Sequence, residues 1–441
     1  MDELEEESEY LSEPKIWELD DDADRYGRET TYRAESEDED FEPSDWDKLP
    51  DLALEKIFSY LGIYEKYKAS LVCRNWYHAF YFPESWSTFT FEDTTLTRRR
   101  FNYYSGWQYT LDHLRMQLCL CSVGRFFKHI VFVPMTNFYN LYELMGNLCS
   151  LRCLQLVDLM LDPSEAVHLL DQVCYSHCLT LSSLTLINVT RLECSLLHIG
   201  VFLHLQVLEI SPQNLSEDAL YLLSEIESLD HLHIVQNRYT PLDITAVSPK
   251  AWKQCKRKRP LLKVHLKVAS NHERGILWQD NAPVASVWYE SPEIKVHPDS
   301  ISTTVELYGP TLRFFGHTLL PKYHQSKSFR DRMDPFYLFL VNKSPNLQTL
   351  IIRERISTAT VLLLASYGKK LKHLHIRRNA VILRNDWPRN PDWPDEFYEW
   401  LKTSCKSYET TQLEVSQILG FKWQMMADKE FKMIHPSLHS L

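Results

Sequence analysis

Histidines and lysines recur at alternate positions of several short segments that also carry leucines, such as "LDHLHI" and "LKHLHI". In an extended strand, successive side chains point to opposite faces, so the leucines would face a core and the basic residues would face the other side. Imidazole and ammonium groups that share a face can hold an anion through charge-assisted hydrogen bonds. The positions are His231, His233, Lys263, His265, His373 and His375.

More basic residues fall on the same predicted face. They are Lys267, Arg353 and Arg377, with His129 in an earlier segment and His113 if "LDHLRM" is a further strand. We predict a basic trough that binds an acidic or phosphorylated segment, more tightly as the pH falls through about 6.5, where free histidine gains its proton, and more weakly in salt. The open alternative is a polar strand face that binds nothing.

Three groups of cysteines could be taken for metal ligands: Cys119 with Cys121, Cys149 with Cys153, and Cys174 with His177 and Cys178. A structural zinc site needs four ligands, usually in tight pairs, and none of these groups has that spacing. No glycine-rich phosphate loop and no nucleophile motif stands out. The sequence therefore predicts a non-catalytic chain with no metal and no cofactor.

Two charged stretches have weaker interpretations. The run "CKRKRP" at 255–260 favours a solvated loop over a nuclear localisation or nucleic-acid signal, because no longer basic stripe accompanies it. Ser36 precedes four acidic residues, a setting that suits phosphorylation by an acid-directed kinase. We predict neither a nucleic-acid partner nor a membrane span, since no uninterrupted apolar run reaches 18 residues.

Leucines spaced as in "SLRCLQL", "TLSSLTL" and "NLQTLII" recur along the chain after residue 110. Most repeats begin every 23–32 residues, with helical patterns between them, and one gap is 63 residues long. A short strand every ~20–29 residues is typical of leucine-rich repeats. We predict an α/β fold, with an irregular leucine-rich-repeat-like solenoid over 111–383, an insertion at about 270–345 and a cap over 384–441. A single non-repetitive α/β domain is the alternative.

The first 45 residues differ in composition from the rest of the chain. They hold 20 acidic and four basic residues, whereas the whole chain carries a net charge of −11. Burial cannot offset the entropy cost of ordering such a segment, so we predict a disordered acidic tail over 1–45. Ten cysteines without regular spacing, behind a segment unlike a secretory signal, indicate a reducing compartment, cytoplasmic or nuclear.

The stretch "LPDLALEKIFSYL" (49–61) places apolar residues at the i, i+3, i+4, i+7 spacing of an amphipathic helix. Two further short helices are predicted before Pro83. Three helices in roughly 40 residues leave much of their surface exposed, so some large apolar residues must meet a neighbour or a partner. Residues 46–88 are therefore predicted to form a small helical module, followed by a linker over 89–110.

The module resembles an F-box. It has the opening Leu-Pro, the Ile-Phe-x-x-Leu core, the Val-Cys-Arg-x-Trp signature and a closing tryptophan, but "GIYEK" stands where the family often has an Asp-Pro turn. The resemblance implies docking onto the Skp-type adaptor of a cullin-based ubiquitin ligase. The family's contact and core positions are here Leu49, Pro50, Leu54, Ile57, Phe58, Leu61, Val72, Cys73, Trp76 and Trp86.

The resemblance and the repeats together predict a substrate-recognition subunit of a ubiquitin ligase, which holds the adaptor at 46–88 and a protein substrate on the solenoid. Such a subunit acts by proximity and performs no covalent step itself. An F-box scaffold that binds the adaptor without directing ubiquitination is the alternative. An enzyme with a site at 270–345 is a weaker third interpretation.

Overall fold

The computed structural model describes residues 45–91, 97–103, 106–111, 123–132, 151–270 and 274–434. The chain divides into two compact units, with the boundary after Cys153. Residues 1–44 of the predicted acidic tail, which include Ser36, lie outside the described residues, as do His113, Cys119, Cys121 and Cys149. No helix in the described ranges combines the length and the apolar run that crossing a bilayer requires.

The first unit begins with the helical module, residues 46–88. A 3₁₀ turn (Asp45–Lys48) precedes helices α1 (Asp51–Tyr60), α2 (Ile63–Ser70) and α3 (Arg74–Phe80), and a second 3₁₀ turn (Glu84–Trp86) follows. The Glu65 carboxylate accepts a hydrogen bond from the Gly62 backbone amide at 2.9 Å, which begins α2 without the family's usual turn. The module is helical, as its apolar spacing predicts.

Strands follow the helices where a linker was predicted. They are β1 (Thr88–Phe91), β2 (Thr97–Asn102), β3 (Gly106–Leu111) and β4 (His129–Phe132). Strand β1 pairs with β4 in parallel, and β2 pairs with β3 in an antiparallel hairpin. Phe89 of β1 is buried and stacks on Phe127 with ring centroids 4.5 Å apart. The linker prediction for 89–110 is therefore wrong, because alternation in "TFTF" gives this segment a buried face.

The second unit contains a parallel sheet whose strands lie side by side in chain order, with β13 and β15 paired apart from it. This confirms the α/β class. Its strands are β5 (Cys153–Val157), β6 (Ser183–Ile187), β7 (Val207–Ile210), β8 (His231–Asn237), β9 (Lys263–Ala269), β10 (Val284–Glu290), β11 (Phe314–Thr318), β12 (Thr349–Ile352) and β14 (His373–Ile376); the separate pair is β13 (Ile356–Ser357) and β15 (Val381–Ile382).

Helices connect most of these strands, as parallel pairing requires. They are α4 (Pro163–His177), α5 (Glu217–Leu223), α6 (Pro249–Lys258), α7 (Pro298–Tyr308), α8 (Asp334–Lys343), α9 (Thr358–Tyr367), α10 (Asp395–Ser404), α11 (Tyr408–Leu419) and α12 (Asp428–Lys432). Serine hydroxyls cap several of them: Ser216, Ser248 and Ser357 each accept a hydrogen bond from the amide three residues on. Each cap fixes where a loop ends and a helix begins.

The segment 270–345, predicted as an insertion, holds two ordinary strand–helix units. Strand β10 is followed by α7, and β11 is followed by α8. The leucine pattern misses β11 because Phe315 and His317 occupy its inward positions, and both side chains are fully buried. The insertion prediction is therefore wrong. The 63-residue gap in the leucine pattern arises because β11 has phenylalanine and histidine at the positions where other strands have leucine.

Residues after 384 pack against the last strand of the sheet. The Trp423 indole donates a hydrogen bond to the Leu374 carbonyl at 2.6 Å, and the Met426 amide donates to the Ile376 carbonyl at 2.9 Å. These bonds satisfy backbone groups of β14 that an uncovered edge strand would leave unpaired.

A buried asparagine connects loops at the carboxyl ends of several strands. Asn188, fully buried and with a positive φ of 46°, donates to the carboxylate of Asp158 at 2.8 Å and to the side chain of Asn237 at 2.6 Å. It also accepts a hydrogen bond from Gln213 at 2.7 Å. These side-chain bonds hold successive turns of the chain together.

Candidate functional site

The strand register of the second unit aligns the predicted basic residues in rows across the sheet. His233 of β8 lies opposite His265 of β9, and His265 lies opposite Ser286 of β10. The row continues through Phe314 and Thr349 to His373. The predicted alternation is thus present, with leucines and isoleucines buried on the other face.

A cationic pocket lies along most of this row, from His265 to His373. A cavity of about 120 Å³ opens among the first residues of β9 to β14, and no carboxylate lines it. Two of its cations, Arg313 and Lys372, are exposed, and Lys263 is half-buried. The other lining residues are His265, Ala285, Ser286, Phe314, Gln348, Thr349 and His373. Three cations beside two hydroxyls and an amide form a donor set suited to a phosphate or carboxylate group.

The sequence did not identify Arg313 and Lys372 as site residues. Each lies one residue before the start of a strand, and therefore outside the alternating strand positions from which the basic face was predicted. A usable signal was the repetition of a cation at this place, since Arg313 precedes β11 and Lys372 precedes β14.

Arg353 does not belong to the basic trough. Its side chain is fully buried, and its guanidinium donates to the carbonyls of Thr318 at 2.8 Å and Ile294 at 2.5 Å, as well as to those of Ser291 and Leu319. These acceptors follow β10 and end β11, so Arg353 fastens two loops. Its assignment to substrate binding is wrong, because the chain's own backbone occupies its donors.

Two further predicted cations are already paired. Arg377 makes a two-bond contact with the carboxylate of Asp428, at 2.7 and 3.0 Å. Lys267 lies 2.6 Å from a carboxylate oxygen of Glu290, and its ammonium is 4.5 Å from the Trp288 ring centroid. Neither side chain presents an unneutralised charge, so both are weaker anion ligands than the sequence suggested.

Several histidines of the face are not the near-neutral titrating groups that the sequence predicted. Burial, with smaller contributions from His231 and Lys267, lowers the pKa of His233 to about 3. Burial and then His373 lower the pKa of His375 to about 4. Burial followed by Lys263 also lowers the pKa of His231. For His233 and His375 the expectation that the ring becomes cationic as the pH falls through 6.5 is therefore wrong.

His129 lies on β4 of the first unit, where its side chain is exposed. The other histidines of the predicted trough belong to the second unit.

Three imidazoles of the second unit converge. His231 Nδ1 lies 2.9 Å from His265 Nε2, and His265 Nδ1 lies 2.7 Å from the Ser286 hydroxyl. The His233 ring stacks on that of His265, with centroids 4.2 Å apart. One ring nitrogen from each of the three lies within 4.8 Å of the others, and this is the one potential metal-ligand group among the described residues.

The ten residues that the family resemblance assigns to the module separate by burial. Leu54, Phe58 and Trp86 are fully buried, and Trp86 donates a hydrogen bond to the Phe80 carbonyl at 2.5 Å. Of the contact and core positions that the resemblance gives, these three therefore belong to the module's own core and present no surface to a partner. Of the rest, Pro50 and Val72 are exposed, while Leu49, Ile57, Leu61, Cys73 and Trp76 are half-buried.

The exposed apolar surface of the module includes residues that the sequence did not identify. Leu52 is 80% exposed, Tyr60 75% and Leu71 65%, similar to Val72 at 64%. Leu52 and Tyr60 lie outside the buried stripe of α1. An apolar residue outside that stripe cannot pack into the module's core. This signal was available in the helical spacing, and such exposed residues are suited to contact a partner.

The polar contacts of the module fix its leading segment. The Asn75 amide donates to the carbonyls of Asp47 and Leu49, both at 3.1 Å. The Trp76 indole donates to the Trp46 carbonyl at 2.9 Å. Asn75 thus holds Leu49 of the Leu-Pro pair, and the half-buried tryptophan of the Val-Cys-Arg-x-Trp signature holds Trp46, so both fix the segment ahead of α1.

A buried lysine lies in the module's core. Lys66 is 4% exposed, and its ammonium is 4.8 Å from the Trp86 ring centroid. Burial lowers its pKa to about 8, from 10.5. The aromatic face compensates only in part for the water that this cation has lost.

Comparison with known proteins identifies the module. Residues 46–88 match the F-box domain family. The F-box/LRR-repeat protein 21 of Bos taurus and that of Mus musculus are each 42% identical to this chain over 48 residues, 11% of this chain. The chain spans only about a tenth of the length of these curated relatives, 11% in each case. The chain therefore contains an F-box domain at residues 46–88.

Proposed function

We propose that this chain is the substrate-recognition subunit of a cullin-type ubiquitin ligase. In this account the F-box domain binds a Skp-type adaptor and, through it, a cullin, and the strand–helix units of the second unit form a leucine-rich-repeat-like solenoid that binds a protein substrate. The match of residues 46–88 to the F-box domain is the observation that carries the proposal. The chain itself performs no covalent chemistry and acts by bringing a substrate lysine close to the conjugating enzyme.

The exposed apolar residues of the helical module support adaptor binding. A few apolar residues buried at the centre of an interface typically carry most of its binding energy. Leu52, Leu71 and Val72 are more than 60% exposed and contribute little to the module's core. They therefore have surface to bury against an adaptor, whereas Leu54 and Phe58 have none.

The substrate half of the proposal rests on the cationic pocket. Lys263, Arg313 and Lys372 gather at one cavity that no carboxylate lines. We infer a substrate segment that carries acidic side chains or a phosphorylated residue, since either supplies the oxygen acceptors that these donors lack.

The adaptor assignment can be tested with one triple variant, Leu52→Ala, Leu71→Ala and Val72→Ala. We expect Skp-type adaptor captured by the chain to fall at least tenfold, without a change in the melting temperature. Leu242→Ala with Leu261→Ala is the matched control, because these leucines of the second unit are 91% and 80% exposed. The control should capture adaptor as wild type does.

Undiminished capture by the triple variant would overturn the docking assignment. Co-purification of cullin distinguishes a substrate receptor from a scaffold. A substrate receptor should co-purify with cullin as well as with the adaptor. Co-purification of the adaptor without cullin would contradict the ligase role.

A further inference from the structure

We propose that His231, His233 and His265 form a binding site for a zinc ion, with a fourth coordination position open to water or to a group of a bound segment. The proposal is independent of the ligase role. It assigns to these histidines a function different from the anion binding that their sequence pattern suggested.

The backbone brings the three rings together. His231 and His233 are two residues apart on β8, so both side chains lie on one face of the sheet. His265 lies on the adjacent parallel strand, directly opposite His233 in the register. A regular sheet thus places the three side chains close together, so the site rests on two central strands and on no loop.

The distances suit zinc. Two nitrogens on one tetrahedral zinc, with Zn–N bonds of about 2.0–2.1 Å, lie about 3.3 Å apart. One pair here, His231 Nδ1 and His265 Nε2, is 2.9 Å apart, and the three donor atoms all lie within 4.8 Å of one another. Small side-chain rotations bring these distances to about 3.3 Å, the separation on a bound ion, and the hydrogen bond between the two rings gives way to coordination.

A hydroxyl orients one of the ligands. His265 Nδ1 lies 2.7 Å from the Ser286 hydroxyl, and both side chains are almost fully buried. Histidines that bind metals usually hold their other ring nitrogen in such a hydrogen bond, which fixes the ring's orientation. Ser286 therefore directs His265 Nε2 toward the other two rings.

The charges around the cluster nearly balance. Lys263 lies opposite His231 in the register, and Lys267 lies two residues beyond His265 on β9. Glu290 neutralises Lys267 at 2.6 Å, and Glu209 of β7 lies opposite His233 in the same row. Glu209 is positioned to offset the charge of a bound cation.

Ligand chemistry favours zinc over the common hard cations. Imidazole nitrogen suits zinc, copper and nickel, whereas magnesium and calcium take oxygen ligands. Three histidines with one open position are a known arrangement for zinc. Magnesium therefore serves as the negative control.

The test is Zn²⁺ titration of the untagged, metal-stripped full chain by calorimetry. We expect one zinc per chain, which a large excess of Mg²⁺ does not displace. Each of His231→Gln, His233→Gln and His265→Gln should weaken binding at least tenfold. The matched control is His373→Gln with His375→Gln, the same spacing on β14 but outside the potential ligand group. It should bind zinc like wild type.

Cobalt(II) in place of zinc distinguishes these histidines from the chain's ten cysteines. We expect visible absorption bands of a nitrogen-ligated ion without the near-ultraviolet band of a cobalt–thiolate bond. Near-ultraviolet circular dichroism confirms that each single variant is folded. A thiolate band, or equal zinc affinity in wild type and all three folded single variants, would overturn the site.

Discussion

The helical module and the cationic pocket of the second unit expose opposite chemistries. The module leaves Leu52, Leu71 and Val72 mostly in solvent, whereas the pocket presents Lys263 and the two exposed cations beside it. Added salt does not screen the burial of apolar surface and can strengthen it, whereas contacts between charges weaken as salt is added. One chain can therefore hold two partners by forces that respond to different conditions.

Within each region, the side chains that we propose for binding differ from those that support them. In the module, Phe58 is fully buried although it lies one residue from half-buried Ile57. In the second unit, Arg353 is fully buried although it continues the predicted basic face. Substitution of a supporting residue should lower the free energy of unfolding, whereas substitution of a residue proposed for binding should leave it nearly unchanged.

The largest expected effect is in the module's core. Phe58→Ala removes a fully buried ring that packs edge-on against Trp76 with centroids 6.1 Å apart. We expect the free energy of unfolding of the module to fall by about 3–5 kcal/mol. Val72→Ala, at an exposed position, should change it by less than about 0.5 kcal/mol. Chemical denaturation followed by tryptophan fluorescence measures both, and equal losses would contradict the division into core and surface.

A similar contrast should hold between two arginines of the second unit. Arg353→Met leaves buried backbone carbonyls without their donor, and we expect a loss of about 3 kcal/mol in the free energy of unfolding. Arg377→Met breaks a single partly buried ion pair and leaves no fully buried group without a partner, so we expect a loss of about 1 kcal/mol. Thermal unfolding of both variants provides the comparison. A milder effect at Arg353 than at Arg377 would restore Arg353 as a candidate for substrate binding.

The smallest expected effect concerns the buried lysine of the module. The folded-state pKa of Lys66 is about 8, below its ordinary value of 10.5, so between these pH values the unfolded state binds more protons than the folded state. Stability of the wild-type module should therefore rise as the pH increases from 7 to 9. Lys66→Met should remove the contribution of this group to that rise and stabilise the module by about 1 kcal/mol at pH 7. Denaturation at the two pH values tests this, and a wild-type stability that falls with pH would contradict it.

Much of the fold could be predicted from spacing because alternation and helical periodicity report directly on which side chains are buried. Leu232 and Leu374 are buried as the leucine pattern requires, and His231 and His373 face away from them. The pattern failed at β11, where Phe315 and His317 fill the leucine positions. An aromatic or neutral histidine side chain can occupy the same buried volume, so residue type alone did not reveal that strand.

The partners of individual side chains could not be predicted in the same way. Asp428 pairs with Arg377 from 51 residues away, and the carbonyls that bind Arg353 come from loops 34–62 residues away. Contacts over such separations follow from the folded topology and leave no periodic signal. Burial likewise shifts the pKa of His233 through its three-dimensional surroundings, which a one-dimensional pattern does not contain.

The most direct test of the account reverses the charge of the pocket with Lys263→Glu, Arg313→Glu and Lys372→Glu. The matched control reverses three exposed cations of α6 outside the pocket, Lys253→Glu, Lys256→Glu and Arg257→Glu. Both variants are applied to an array of acidic and serine-phosphorylated peptides that includes unphosphorylated copies, and both are assayed for Skp-type adaptor capture. We expect the pocket variant to lose peptide binding at least tenfold, equivalent to about 1.4 kcal/mol or more, while the control keeps it and both retain the adaptor. Peptide binding that survives pocket reversal, or that falls equally in both variants, would contradict the account.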